Sequence, residues 1–240
     1  MQPRPSRGLT RDAPSSAPLA GGDKWATGLA SSGVALAGGV KLATGIPGGQ
    51  PVARLNLVRD FKVCTINVRT MNELGAAALL DRELTRMGVG LAGLQEVRWP
   101  GVGETSEGST RFLWSGSASN ERKNGVALAM SPQCASALLS WQPVNDRILL
   151  ARFRHIHGTL SVVVAYARTE AADLASKEAF YGLLDDTLRT LSNRDVRVCL
   201  GDFNAVSGGD RLPMDRVLGP YGSGVPNENS ELLLAMCRDS

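Results

Sequence analysis

Between residues 61 and 201 the chain is cut into short apolar runs bounded by turn-forming residues, and this texture limits it to a sheet-rich fold. Residues 61–67 (FKVCTIN) alternate as a strand, and residues 89–96, 111–115, 125–130, 148–154, 160–166 and 196–201 are further runs of strand length. Helical spacing is confined to three places. In residues 71–87, Leu74, Leu80, Leu84 and Met87 fall near one face; in residues 171–191, Phe180, Leu184, Thr187, Leu188 and Leu191 do; residues 231–238 begin a third helix. Residues 61–96 therefore read as a β-α-β unit, and residues 148–166 as a hairpin with His157, Gly158 and Thr159 at its tip. Residues 104–109 and 117–124 read as polar connections, and residues 207–226 as a Gly/Pro-rich loop. Strands grouped with few helices between them predict an α/β fold of two stacked, mixed or antiparallel sheets with helices outside.

Residues 1–58 differ in kind. They are rich in Pro, Gly, Ser and Ala, with Trp25 as their only aromatic, and such a composition buries too little apolar area to offset the entropy of ordering. The expectation is a disordered leader, with at most a marginal helix near residues 39–43, followed by one domain over residues 59–240. The leader also distorts the charge. Residues 1–60 hold seven Lys/Arg against three Asp, which leaves 19 basic against 20 acidic residues in the rest of the chain. Bulk charge thus gives no argument for nucleic acid, and any such argument must come from a site. Four separated cysteines (Cys64, Cys134, Cys199 and Cys237), with no CxxC pair, read as buried free thiols in a reducing, intracellular setting. No strongly apolar run reaches the length of a membrane span.

Asn67, Glu96, Tyr166 and Asp202 each close an apolar run at its C-terminal end, where α/β folds assemble sites because the sheet fixes the backbone and loops leave room for a ligand. No Ser/His or Cys/His pairing accompanies them. Two carboxylates with an amide and a phenol suit a hard cation such as Mg²⁺, which polarises phosphoryl oxygens. The plainer alternatives are an ion pair of Glu96 with Arg98 or Arg69, and Asp202 as a structural acid capping its own turn. In residues 200–205 (LGDFNA), Gly201 permits a tight exit from the strand, and Asn204 follows Asp202 by two residues so that both can face one point.

GDFNA after residue 200, QEVRW at residues 95–99, INVRTM at residues 66–71 and VVAYARTE at residues 163–170, in this order, resemble the endonuclease/exonuclease/phosphatase superfamily. The wording is most similar to the apurinic-type endonucleases of non-LTR retrotransposons and a domesticated relative of theirs. The resemblance runs from about residue 62 onward and implies a four-layer α/β sandwich that hydrolyses DNA phosphodiesters with Mg²⁺, or Mn²⁺ in its place. DNA is the implied partner, with no membrane and no small-molecule cofactor, in an intracellular setting of which the nucleus is one alternative. By the same resemblance Glu96 and Asn67 serve the metal, with Asn67 also at the scissile phosphate. Asp202 orients or deprotonates the attacking water, Asn204 holds the phosphate and Tyr166 hydrogen-bonds it.

The sequence also departs from the pattern. Family members continue with further strands and a closing Ser-Asp-His, so the expectation is a sandwich incomplete at its C-terminus and impaired catalysis. His155 and His157, at the hairpin tip, read as turn or surface residues too far from the site to substitute. Arg168 stands where the family commonly has Pro, and either contacts phosphate or marks a drifted copy. Residues 125–128 resemble a structural core strand, and Asn229 reads as a helix N-cap. Two other functions stay open: a catalytically dead remnant that binds DNA or protein, and hydrolysis of a small or lipid phosphate.

Overall fold

A computed structural model describes residues 41–42, 53–56, 61–119, 121–208, 217–219 and 222–238. Strands β2 (Lys62–Asn67), β3 (Val89–Gln95), β4 (Val102–Glu107), β5 (Thr110–Ser115) and β6 (Val126–Met130) form one sheet in the order β2-β3-β6-β5-β4. The second sheet runs β1-β7-β8-β9-β10, built from β1 (Lys41–Leu42), β7 (Leu138–Asn145), β8 (Ile148–His155), β9 (Gly158–Tyr166) and β10 (Val196–Asp202). Both sheets are mixed: β2 and β3 pair in parallel, as do β9 and β10, and the other pairs are antiparallel.

Strict alternation along the strands sorts side chains into three apolar layers. In β9, Leu160, Val162, Val164 and Tyr166 face the space between the sheets, while Val163 and Ala165 turn outward. The outward set packs under helix α3 (Leu174–Arg189) through Phe180, Leu184 and Leu188, with Leu232, Leu233 and Met236 of α4 (Glu228–Arg238) alongside. On the first sheet, Leu128 and Met130 face inward, and Ala127 and Ala129 face the layer that holds Leu84 of α1 (Ala76–Met87). Helices thus cover both outer faces, giving the expected sandwich. The sheets pack tightly at Gly93, where a Cβ would lie 2.8 Å from that of Leu200. Any side chain there would force the layers apart.

Several expectations need correction. Residues 104–109 are not merely a polar connection: β4 is a real edge strand, and its exposure on nearly every side chain explains why no alternation marks it. The short helix α2 (Pro132–Ala137), capped by the Ser131 side chain, and strand β7 were not foreseen. Residues 71–75 lie outside α1, with Leu74 fully exposed rather than on its apolar face. From the stretch expected to stay unfolded, Leu55 is wholly buried in the inter-sheet core, donating its N–H to the Arg154 carbonyl. Lys41 and Leu42 pair as a strand with Trp141 and Ser140, not as part of a helix. Residues 1–40, 43–52 and 57–58 of the leader, and half of the 207–226 loop, fall outside the described residues. All four cysteines are free, but only Cys134 is buried.

Candidate active site

Parity along three strands delivers Asn67, Tyr166 and Asp202 to one place. Each lies an even number of residues from an inter-sheet side chain (Val63, Val164 and Leu200), so each faces the gap between the sheets at the end where the strands stop. Parallel pairing sets the levels, with Asn67 opposite Gln95 and Asp202 opposite Tyr166. Glu96 breaks the rule. Its place after Leu94 and Gln95 would turn it outward, but its backbone enters the left-handed region (φ 57°) and brings the carboxylate back to the group. Asn67 Nδ2 donates to Glu96 Oε1 and to Asp202 Oδ2, at 2.9 Å each. The two carboxylate oxygens therefore lie no further apart than twice that distance. The Tyr166 hydroxyl donates across the sheets to Glu96 Oε1 at 3.0 Å, and Arg98 donates to Glu96 Oε2 at 2.8 Å. A cleft of about 640 Å³ opens beside Asn67 and Asp202 and is lined further by Phe203, Leu233 and Leu234.

These contacts set the charge states. Partial burial pushes the Glu96 carboxyl up, but the hydrogen bonds from Asn67, Arg98 and Tyr166 outweigh it and hold the group below its usual range, so it is ionised at neutral pH. Burial, reinforced by the bond to Glu96, pushes the Tyr166 phenol up to about 12, which leaves it a protonated donor. Asp202 is anchored at both oxygens, Oδ2 by Asn67 and Oδ1 by the Asn204 N–H at 3.1 Å. Asn204 (φ 48°) donates its side-chain amide to the Ala167 carbonyl, and its own carbonyl accepts from Asn227.

No protein-family profile matches the chain. Over 178 residues it is 30% identical to craniofacial development protein 2 of Bos taurus and of Tragulus javanicus. That match takes in 74% of this chain but 29% and 30% of those proteins, so the chain spans less than a third of the length of the curated relatives it matches. Among solved structures, the endonuclease domain of TRAS1, a telomere-specific non-LTR retrotransposon, superposes with a TM-score of 0.50 at 16% identity, over 75% of this chain and 70% of that one. The AP endonuclease LMAP from Leishmania major gives 0.51 at 14%, over 74% and 66%. The chain shares the two-sheet α/β sandwich of these two endonuclease structures.

Within this sandwich, all five residues singled out from sequence (Asn67, Glu96, Tyr166, Asp202 and Asn204) meet at one end. The plainer readings hold alongside: Glu96 does pair with Arg98, and Asp202 does cap its own turn. The remaining assignments fare unevenly. Gly201 is still inside β10, and its lack of a side chain serves space rather than a turn, because a Cβ would sit 2.7 Å from the Ala165 carbonyl oxygen. The N-cap of α4 is Asn227, which accepts from the Ser230 N–H, while Asn229 is buried and donates to the Arg168 carbonyl. His155 is buried, not a surface residue, though both histidines are at the hairpin tip as expected, seven strand residues or about 23 Å from the site end. Sequence reasoning missed Arg147, whose guanidinium lies 4.8 Å over the Tyr166 ring, and only its place beside the β7–β8 turn could have flagged it.

The donor set partly fits a small hard cation. Among the described residues no group of three or more His, Cys, Asp and Glu side chains converges on one point. Glu96 and Asp202 do face each other closely, and Mg²⁺ keeps several waters and is commonly held by one or two carboxylates. Asn67 stands differently. The Arg69 N–H occupies its Oδ1 and its Nδ2 points at the carboxylates, so its amide acts here as the donor that keeps two like charges together.

Proposed function

We propose that this chain is the phosphodiester-hydrolysing domain of a Mg²⁺-dependent DNA endonuclease of retrotransposon type, with Mn²⁺ as a substitute ion, working inside the cell. One observation carries the reading: a single Asn67 amide bridges the Glu96 and Asp202 carboxylates while the Tyr166 hydroxyl reaches Glu96 from the facing sheet. The likeness to craniofacial development protein 2, and the sandwich shared with an AP endonuclease and a retrotransposon endonuclease domain, support it.

Glu96 is the residue to hold the ion, with Asp202 beside it and Asn67 contributing its amide oxygen once its side chain turns. Bound there, Mg²⁺ would supply Lewis-acid polarisation of a phosphoryl oxygen and offset its growing charge. Asp202, fixed at both oxygens, orients a water and accepts its proton. Tyr166 stays protonated at neutral pH, and its single O–H, which rests on Glu96 in the free protein, can turn to a non-bridging phosphate oxygen when substrate enters. Asn204, placed by its left-handed backbone beside Asp202, adds an amide donor for the same phosphate.

The test has two arms. Electron paramagnetic resonance should find one Mn²⁺ site in the chain that Glu96→Gln removes, and absence of any such site sinks the reading. Supercoiled plasmid and a duplex with one abasic site should be nicked with Mg²⁺, and Asp202→Ala should abolish this. His155 and His157 lie at the far end of the β8–β9 hairpin, so no imidazole serves the site and slow turnover is expected; the nicking arm therefore runs two versions, wild type and Asp202→Ala. The same observation favours a second reading, DNA binding without cleavage. Salt-sensitive binding with no nicking in either version would select it. Since the site residues grip only the phosphate, a lipid-phosphate assay runs in parallel.

A further inference from the structure

Arg147 is only 8% exposed, yet among the described residues no carboxylate forms an ion pair with it. The carboxylate of its neighbour Asp146 is engaged by the Asn124 side-chain amide at 2.8 Å. A buried cation without a counter-ion is costly unless its hydrogen bonds do something that a smaller apolar side chain cannot. Those bonds all lead to the site. Of the two terminal guanidinium nitrogens, Nη1 donates to the carbonyls of Tyr166 (3.2 Å) and Ala167 (3.0 Å) and Nη2 to Asn124 Oδ1 (2.8 Å). The Ala167 carbonyl is also the acceptor for the Asn204 side chain. The Asn124 carbonyl accepts from the Arg98 N–H, two residues after Glu96. The Tyr166 N–H returns a bond to the Arg147 carbonyl, and the flat cation lies 4.8 Å over the phenol ring.

Resting on the phosphodiesterase reading of this site, we propose that Arg147 is its positioning residue. By clamping the Tyr166 ring and carbonyl and bracing the Glu96 and Asn204 turns, it holds the Tyr166 hydroxyl on Glu96 and so sets the carboxylate for the cation. It touches neither the reacting phosphate nor the ion. A guanidinium is required because the task needs a planar group that forks between separate carbonyls while lying on an aromatic face, and an ammonium can do only part of it.

The experiment compares wild type, Arg147→Lys and Arg147→Met, each labelled with ¹³C at tyrosine Cζ. Tyr166→Phe assigns the Tyr166 signal, and Tyr181, buried on α3 against the outer face of the second sheet, serves as an internal reference. The Tyr166 resonance should move in the Met variant and partly return with Lys, while that of Tyr181 stays. Mn²⁺ affinity should fall about 10- to 100-fold in the Met variant, as for outer partners of metal ligands, and less with Lys. A Tyr166 signal unmoved in a folded Met variant overturns the proposal. So does an equal displacement of both tyrosines with a lowered unfolding midpoint, which is what a purely structural arginine would give. If Tyr166 responds as expected but even the wild type binds no Mn²⁺, the clamp stands and the metal-dependent reading of the site falls.

Discussion

The two ends of the sandwich differ in whether left-handed backbone carries side chains. At the end where β2, β3, β9 and β10 finish and β6 begins, five residues with side chains adopt positive φ: Arg69, Glu96, Arg98, Asn124 and Asn204. They are the only such non-glycine residues among those described. Glycines take that conformation at both ends, Gly125 beside Asn124 among them, but at the far end no other kind of described residue does, as at Gly88 after α1 and Gly158 at the β8–β9 turn. A side chain forced left-handed costs on the order of 1–3 kcal/mol, less for Asn, and glycine avoids the cost. Strain is thus kept where a side chain must be present for its own chemistry. Glu96 shows why: without φ 57° it would face the α1 layer.

If the ends are separable, core damage towards the far end should cost stability and leave the site alone. Phe153, fully buried in the inter-sheet layer of β8, is the strongest probe. Phe153→Ala should lower unfolding free energy by about 3–5 kcal/mol in urea, with Mn²⁺ affinity of the surviving folded protein unchanged. A parallel loss of affinity would break the comparison.

The reverse experiment is Glu96→Gln, which should cost more than about 100-fold in Mn²⁺ affinity, since even outer partners cost 10- to 100-fold. It also carries a pH signature. The folded Glu96 carboxyl is held below its usual value of 4.5, so its contribution to stability is present above that value and lost as pH falls through the lowered one. Thermal midpoints measured from pH 5 to pH 2 should fall less steeply in the Gln variant.

Asn67→Ala sharpens the picture at smaller scale. Removing the donor between two carboxylates should destabilise the ion-free protein by about 1 kcal/mol, because the site is open to water. Saturating Mn²⁺ should recover most of that loss, because an ion can do what the amide did. Loss without recovery would mean that Asn67 is needed for the fold rather than for the charges.

How far this was legible in the sequence follows from the same contrast. Strands whose faces differ in polarity announced themselves, and with them the parity that sends Asn67, Tyr166 and Asp202 inward. β4 did not, because both its faces are wet, nor did β7, whose Pro143 and shifts of register break the pattern. Glu96 was correctly placed at a strand end, but the left-handed residue that aims it leaves no periodic trace. Arg147 was invisible because its importance lies in carbonyls supplied by a strand nearly twenty residues later. Leu55 was concealed by the Pro/Gly/Ser/Ala composition of the leader that precedes it, although it stands among Val52, Ala53, Leu57 and Val58, and it docks through two backbone bonds to the β8–β9 hairpin.

The smallest expected effect tests the far end directly. His155 is buried with its Nε2 lacking a partner, while its Nδ1 accepts from the His157 N–H. Burial, with added repulsion from His157, lowers its pKa below the ordinary 6.5. The folded state therefore resists protonation: its stabilisation is complete above pH 6.5 and is lost as pH falls through the lowered value. His155→Phe keeps an aromatic ring and removes the titration, so its thermal midpoint should decline less than that of wild type between pH 6.5 and pH 5. At pH 7.5 its Mn²⁺ affinity should equal that of wild type, since about 23 Å of β8 separates the ring from the site end. A change in affinity would show that the glycine-capped end is coupled to the strained one after all, and that the sandwich does not insulate them.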